Sequence, residues 1–139
     1  MVNMQKHELP TPVAAIVKVL KHFPEIRTAI LFGSIAKGNA GPDSDIDLAV
    51  DFGAPIDSQQ KTRLISILAE ATGRPIDLID LTKAGEPLLG QILHNSSRRL
   101  IGSDQDFANL VTRHLLDAAD FMPYYRRLLN HRRKMWIGM

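Results

Sequence analysis

Asp43, Asp45 and Asp47 fall within five positions, at the point where the apolar run Leu48-Ala49-Val50 begins. The order Asp45-Ile46-Asp47-Leu48 has the two-residue period of a β-strand. It sends both carboxylates to one face, about 6.6 Å apart along the chain, and Ile46 and Leu48 to the other. Two ionised carboxylates that close raise each other's pKa and resist burial unless a cation sits between them. A hard divalent cation resolves the conflict, because oxygen ligands suit Mg²⁺, which keeps waters and takes further ligands from substrate phosphates. The chain must therefore carry a core strand whose first residues stay at the surface and whose carboxylates need a partner.

The surrounding sequence is that of a small globular protein. Its 139 residues suit one domain that buries roughly two-thirds of its unfolded surface. A net charge of +2 implies no polyelectrolyte partner, although Arg113, Arg126, Arg127, Arg132, Arg133 and Lys134 gather near the C-terminus. The absence of cysteine excludes disulfides and thiolate metal sites and fits a reducing compartment. The apolar stretch "VAAIVKVL" is broken by Lys18 and followed by Lys21, and no run approaches the roughly 18 residues of a membrane span. These features point to a cytoplasmic protein without a membrane partner.

Local patterns give the order of elements. Thr11-Pro12 resembles an N-cap followed by proline at the first helical position, and apolar residues at 13, 16, 17 and 20 continue a helix to about Phe23. Strands are expected over 28–32 ("TAILF"), 45–52 ("DIDLAVDF") and 74–81 ("RPIDLIDL"). Asp57 or Ser58 caps a helix that runs to Ala71, with Gly73 at its C′ position. A helix around 85–95, a short strand at "RRLIG" and a helical stretch from Asp104 to about Lys134, broken or kinked at Pro123, complete the chain. Alternating helices and strands predict an α/β layer fold, one compact sheet covered by helices.

Two motifs start and then fail. Asp43-x-Asp45-x-Asp47 opens like a calcium loop, yet the positions that require glycine and a bidentate glutamate hold Leu48 and Ala54. "GSIAKG" (33–38) follows a strand but is continued by Asn39-Ala40, where a P-loop needs Lys-Ser/Thr. What remains at Gly33-Ser34 is a turn into a helix whose free N–H groups suit a phosphate, with Ser34 adding a hydroxyl.

Gly33-Ser34, ten residues, then Asp45-x-Asp47 is the GS-x10-DxD pattern, and with "FGSIAKG…SDIDLAV" and "RPIDLIDL" it resembles the DNA polymerase β-like nucleotidyltransferase superfamily in its minimal (MNT) branch. "HLLDAADFMPYYRRLL" (114–129) is similar to the terminal helix of MNT antitoxins paired with HEPN toxins. The resemblance implies a small mixed β-sheet flanked by helices, in a minimal nucleotidyltransferase unit over 1–103 with a helical extension over 104–139 packed on it. It implies a third carboxylate from the next strand. Asp77 matches; Asp80 competes, but strand alternation puts it on the opposite face. Asp45, Asp47 and Asp77 would then be the catalytic and metal-binding set, holding two Mg²⁺ ions for displacement at the α-phosphate of ATP, while Gly33, Ser34 and Lys37 bind the nucleotide.

For an MNT antitoxin the implied acceptor is a tyrosine hydroxyl of a cognate HEPN ribonuclease toxin, silenced by AMP transfer. A small-molecule transferase of the aminoglycoside-modifying kind, and an antitoxin that acts by contact alone, are the alternative readings. Arg126 and His131 have part of the HEPN Arg-x4-His-x-Tyr pattern, but Arg133 replaces its tyrosine, so a helix surface is expected there. The basic C-terminal segment could dock a toxin or touch RNA. Trp136, with Met135 and Ile137, could pack on the domain or on a partner. Tyr124 and Tyr125 read as packing residues, Asp43 as a turn residue with Ser44, and the histidines carry no role.

Overall fold

The computed structural model describes residues 11–119. Pro123, Tyr124, Tyr125, Arg126, His131, Arg133 and Trp136 lie outside the described residues, as does most of the basic segment. The elements are α1 (Thr11–Leu20), β1 (Thr28–Phe32), α2 (Gly33–Lys37), β2 (Ile46–Asp51), α3 (Ser58–Thr72), β3 (Ile76–Asp80), α4 (Leu88–Ile92) and β4 (Arg98–Ile101). A last helix, α5, occupies 104–119 within the described residues.

The four strands form one mixed sheet in the order β3-β2-β1-β4. β1 is antiparallel to both β2 and β4, whereas β2 and β3 are parallel. Parallel neighbours need a crossover, and α3 supplies it. This helix has the ends its sequence demands. Asp57 accepts a hydrogen bond from the Gln60 N–H at 2.7 Å while Gln60 Oε1 accepts from the Asp57 N–H at 3.1 Å, a reciprocal capping box. At the other end Gly73 takes φ +68° and donates its N–H to Ala69.

Alternation sorts the apolar side chains into two layers. Ala29 and Leu31 of β1, with Ile46, Leu48 and Val50 of β2 and Leu78 of β3, pack against Val13, Ile16 and Leu20 of α1 and Leu64 and Leu68 of α3. On the other face Ile30, Phe32 and Ala49 meet Leu81, Leu89, Ile92 and Leu110, so α4 and α5 cover that side. Each fully buried Leu or Ile contributes about 1.5–3 kcal/mol, which makes the two layers the main source of stability.

Several elements are shorter than their sequence patterns suggest. α1 ends at Leu20 because the chain tightens into turns there: His22 donates to Val19, and Phe23 to Leu20, both at 3.0 Å. β2 and β3 lose one or two residues at each end because ladder partners run out, and Asp45 sits just outside its strand. α4 begins only after Pro87 and ends where Leu93 donates to Leu89.

Candidate active site

The sheet register brings the site together. Phe32 lies opposite Asp47 on the antiparallel side, and Asp47 lies opposite Asp77 on the parallel side. Gly33, Asp47 and Asp77 thus stand in a row across three strands at one end of the sheet. By parity the two aspartates share the face that carries Phe32 and Ala49, away from the Ile46-Leu48-Val50 layer. Asp45, two residues upstream of Asp47, has the same parity and is exposed.

Gly33 takes φ +75° as the chain leaves β1 for α2. A Cβ at this position would stand 3.0 Å from Cγ of Asp47 and would overlap Oδ2. Glycine is therefore required twice over, by its left-handed backbone and by the carboxylate beside it. The α2 N-terminus receives no side-chain cap from Phe32, which leaves its leading N–H groups available for an anion.

The electrostatics are those of crowded acids. Asp47, half-buried, is raised above its ordinary value, first by burial and then by the charges of Asp77 and Asp45, with a hydrogen bond to Asp77 acting in the same direction. Neither ion pair among the described residues involves these three aspartates. No group of three His, Cys, Asp or Glu side chains among the described residues stands ready-made to hold a metal. Asp47 and Asp77 stand opposite each other on neighbouring strands, and Asp45 acts on Asp47 through its charge. Uncompensated carboxylates from adjacent strands, with no lysine or arginine paired to them, form a donor set that fits a hard divalent cation.

Asp80 is settled by its contacts. It lies on the α3 face, where Oδ2 accepts from the Ile56 N–H at 3.0 Å and Oδ1 from the Thr82 N–H at 2.9 Å and the Thr82 hydroxyl at 2.6 Å. Burial would raise its pKa, but these hydrogen bonds prevail and hold it below the ordinary carboxylate value. Asp80 fastens the turn after β3 and faces away from Asp47.

A cleft of about 440 Å³ opens over this end of the sheet, lined in part by Gly33, Lys37, Asp47 and Asp77. Ser34 and Asp45 are not in its lining. Its far wall holds residues that the sequence patterns leave unassigned: Leu88 and Gln91 of α4, then His94 and Ser96. The only local sign of them is a histidine and a serine-rich turn ("HNSS") after an apolar helix.

The site stands on an α/β sheet with two acidic strands in parallel register beside a glycine-led helix. The family model described as Polymerase beta, Nucleotidyltransferase matches residues 14–106, well over half of the chain, and the chain belongs to that family. Its four-stranded mixed sheet with flanking helices is the polymerase β-like nucleotidyltransferase fold. Among curated proteins it is similar to the protein adenylyltransferase MntA of Shewanella oneidensis, with 34% identity over 92 residues that span 66% of each protein. Among solved structures it is similar to a chain of a toxin–antitoxin with AMP-PNP, with TM-score 0.64 and 28% identity over 91% of this chain and 96% of that one. It also resembles a chain of the tri-AMPylated Shewanella oneidensis HEPN toxin in complex with MNT antitoxin, with TM-score 0.58 and 26% identity over 91% and 94% of the two chains.

Proposed function

We propose that this protein is an antitoxin that works in the cytoplasm as a Mg²⁺-dependent nucleotidyltransferase, moving AMP from ATP to a tyrosine hydroxyl of a HEPN toxin with pyrophosphate as the leaving group. The observation that carries the reading is the in-register pair Asp47–Asp77 beside Gly33, at the mouth of a cleft that also holds Lys37. The similarity to MntA and to HEPN toxin–MNT antitoxin complexes supplies the acceptor class.

In this reading Asp45, Asp47 and Asp77 hold divalent cations, and bound Mg²⁺ supplies charge neutralisation at the reacting phosphate. The leading N–H groups of α2, the Ser34 hydroxyl and Lys37 bind the phosphates. Asp77 would help to take the proton of the incoming hydroxyl, a role that its exposure on the edge strand β3 supports. Gly33 keeps the Asp47 carboxylate in place. Residues 1–103 form the catalytic unit, with 104–139 as an extension whose described part, 104–119, is helical. Within that extension, Leu110 packs on the sheet, and Arg113 Nη2 donates to the Leu81 and Ala84 carbonyls at 2.6 and 3.1 Å.

The test is incubation of the full chain with α-labelled ATP, Mg²⁺ and a purified HEPN toxin. Label is expected on toxin tyrosine, and its transfer should vanish when Asp45 and Asp47 are both replaced by asparagine. An intact protein that leaves the toxin unlabelled refutes the proposal, and toxin neutralisation that survives the double replacement would mean that contact alone suffices.

A further inference from the structure

The turn after α4 is built to hold one imidazole in one state. His94 donates its N–H to Gln91 at 3.3 Å, the Ser97 N–H donates to the His94 carbonyl at 2.9 Å, and the Ser97 hydroxyl reaches the Gln91 carbonyl at 3.4 Å. On the ring, Nδ1 lies 3.1 Å from the Ser96 N–H and 2.8 Å from the Ser96 hydroxyl. A backbone N–H only donates, so Nδ1 must accept. The ring proton is thereby assigned to Nε2.

The place of this ring in the cleft follows from the sheet. β4 pairs with β1 so that Arg98 lies opposite Leu31, which sets the 94–97 turn beside the Phe32–Gly33 end of β1. Across the cleft mouth the order is Asp77, Asp47, Gly33 and then this turn. His94 and Ser96 therefore line the cleft on the Gly33 side of Asp47, and Asp77 lines it on the other. A nucleoside triphosphate brings about four negative charges, and among the described residues Lys37 is the single lysine or arginine in the lining. His94 adds a donor to that end of the cleft, because its Nδ1 is taken by Ser96 and its Nε2–H is bonded to nothing among the described residues.

We infer that His94 binds the terminal phosphates of the nucleotide, donating from Nε2 opposite Lys37, with Ser96 as the residue that fixes its tautomer. The inference rests on the nucleotidyltransferase reading above and names a further binding residue for that site. The contact is to the polyphosphate and not to the nucleoside, because the turn neighbours Gly33, where α2 presents its leading N–H groups.

Calorimetric titration of the full chain with ATP, inorganic tripolyphosphate and AMP, each with Mg²⁺, tests it. His94→Ala should weaken ATP and tripolyphosphate by about five- to tenfold, the worth of one hydrogen bond to a charged group, and leave AMP unchanged. His94→Gln, whose amide N–H reaches about as far as Nε2–H, should recover most of the loss, and His94→Asn should not. ATP and tripolyphosphate affinities unchanged in His94→Ala overturn the inference, as does an AMP affinity that falls as far as that of ATP. Wild-type protein that binds ATP but transfers no AMP refutes the transferase reading while leaving the phosphate contact measurable. A wild-type chain that takes up neither polyphosphate overturns both.

Discussion

Replacing Gly33 by alanine separates two demands that the fold places on one residue. The first is backbone: φ is +75°, a conformation that costs an L-residue about 1–2 kcal/mol. The second is local: the new methyl would lie 3.0 Å from Asp47 Cγ and overlap Oδ2, so the carboxylate must swing away. Gly73 provides the control. Its φ is +68° and a Cβ there meets no atom within 4 Å, so Gly73→Ala carries the backbone cost alone. Both variants should lose about 1 kcal/mol or slightly more, a fall in Tm of about 3–6 °C for a chain of this size. Only Gly33→Ala should lose catalysis. A displacement of the carboxylate on the order of 1 Å should reduce AMP transfer by about a hundredfold.

The assay is the initial rate of label transfer from ATP at a temperature well below both Tm values, with circular dichroism melts run on the same preparations. Normalising by the folded fraction leaves the Asp47 displacement as the only difference between the two variants. If Gly33→Ala transfers AMP as fast as Gly73→Ala, then the position of Asp47 does not limit the reaction and the placement of the site at this sheet end is refuted.

Two further outcomes distinguish the acidic residues. Asp80→Ala should destabilise the fold by about 1–2 kcal/mol, because it strands the N–H groups of Ile56 and Thr82, yet leave transfer intact; Asp77→Ala should abolish transfer at little cost in Tm. A reversed pattern would make Asp80 the third carboxylate. Asp47 sets a pH dependence of known sign: with its folded pKa raised above 3.8, its contribution to stability is complete below that value and is lost as pH rises through the raised pKa. Asp47→Asn should remove this decline, so the metal-free variant should melt higher than wild type at neutral pH, while millimolar Mg²⁺ should raise the Tm of wild type and not of the variant. Melting curves across pH 3–8 that are parallel for the two proteins would disprove the repulsion.

How much of this was legible in the chain depends on the range of the interaction concerned. "TAILF" matches β1 at both ends, and Asp57 and Gly73 mark α3 to within a residue, because capping and glycine chemistry act over three or four positions. The choice of Asp77 over Asp80 rests on the family resemblance; what parity along the strand, a local property, adds is that the two occupy opposite faces, as they do. The antiparallel placement of β1 between β2 and β4 was not legible, because nothing within a strand names its partner. His94 and Ser96 depend on that placement: the 94–97 turn gains its position only when Arg98 pairs with Leu31. Spacing along the chain therefore exposes the carboxylates, whose crowding is local, and hides the wall that faces them, which β4 brings into place from the far end of the described chain. The elements of one crossover, β2-α3-β3, are legible from local pattern, and the family resemblance names the carboxylates they carry, whereas a wall that needs an edge strand to return antiparallel requires the coordinates.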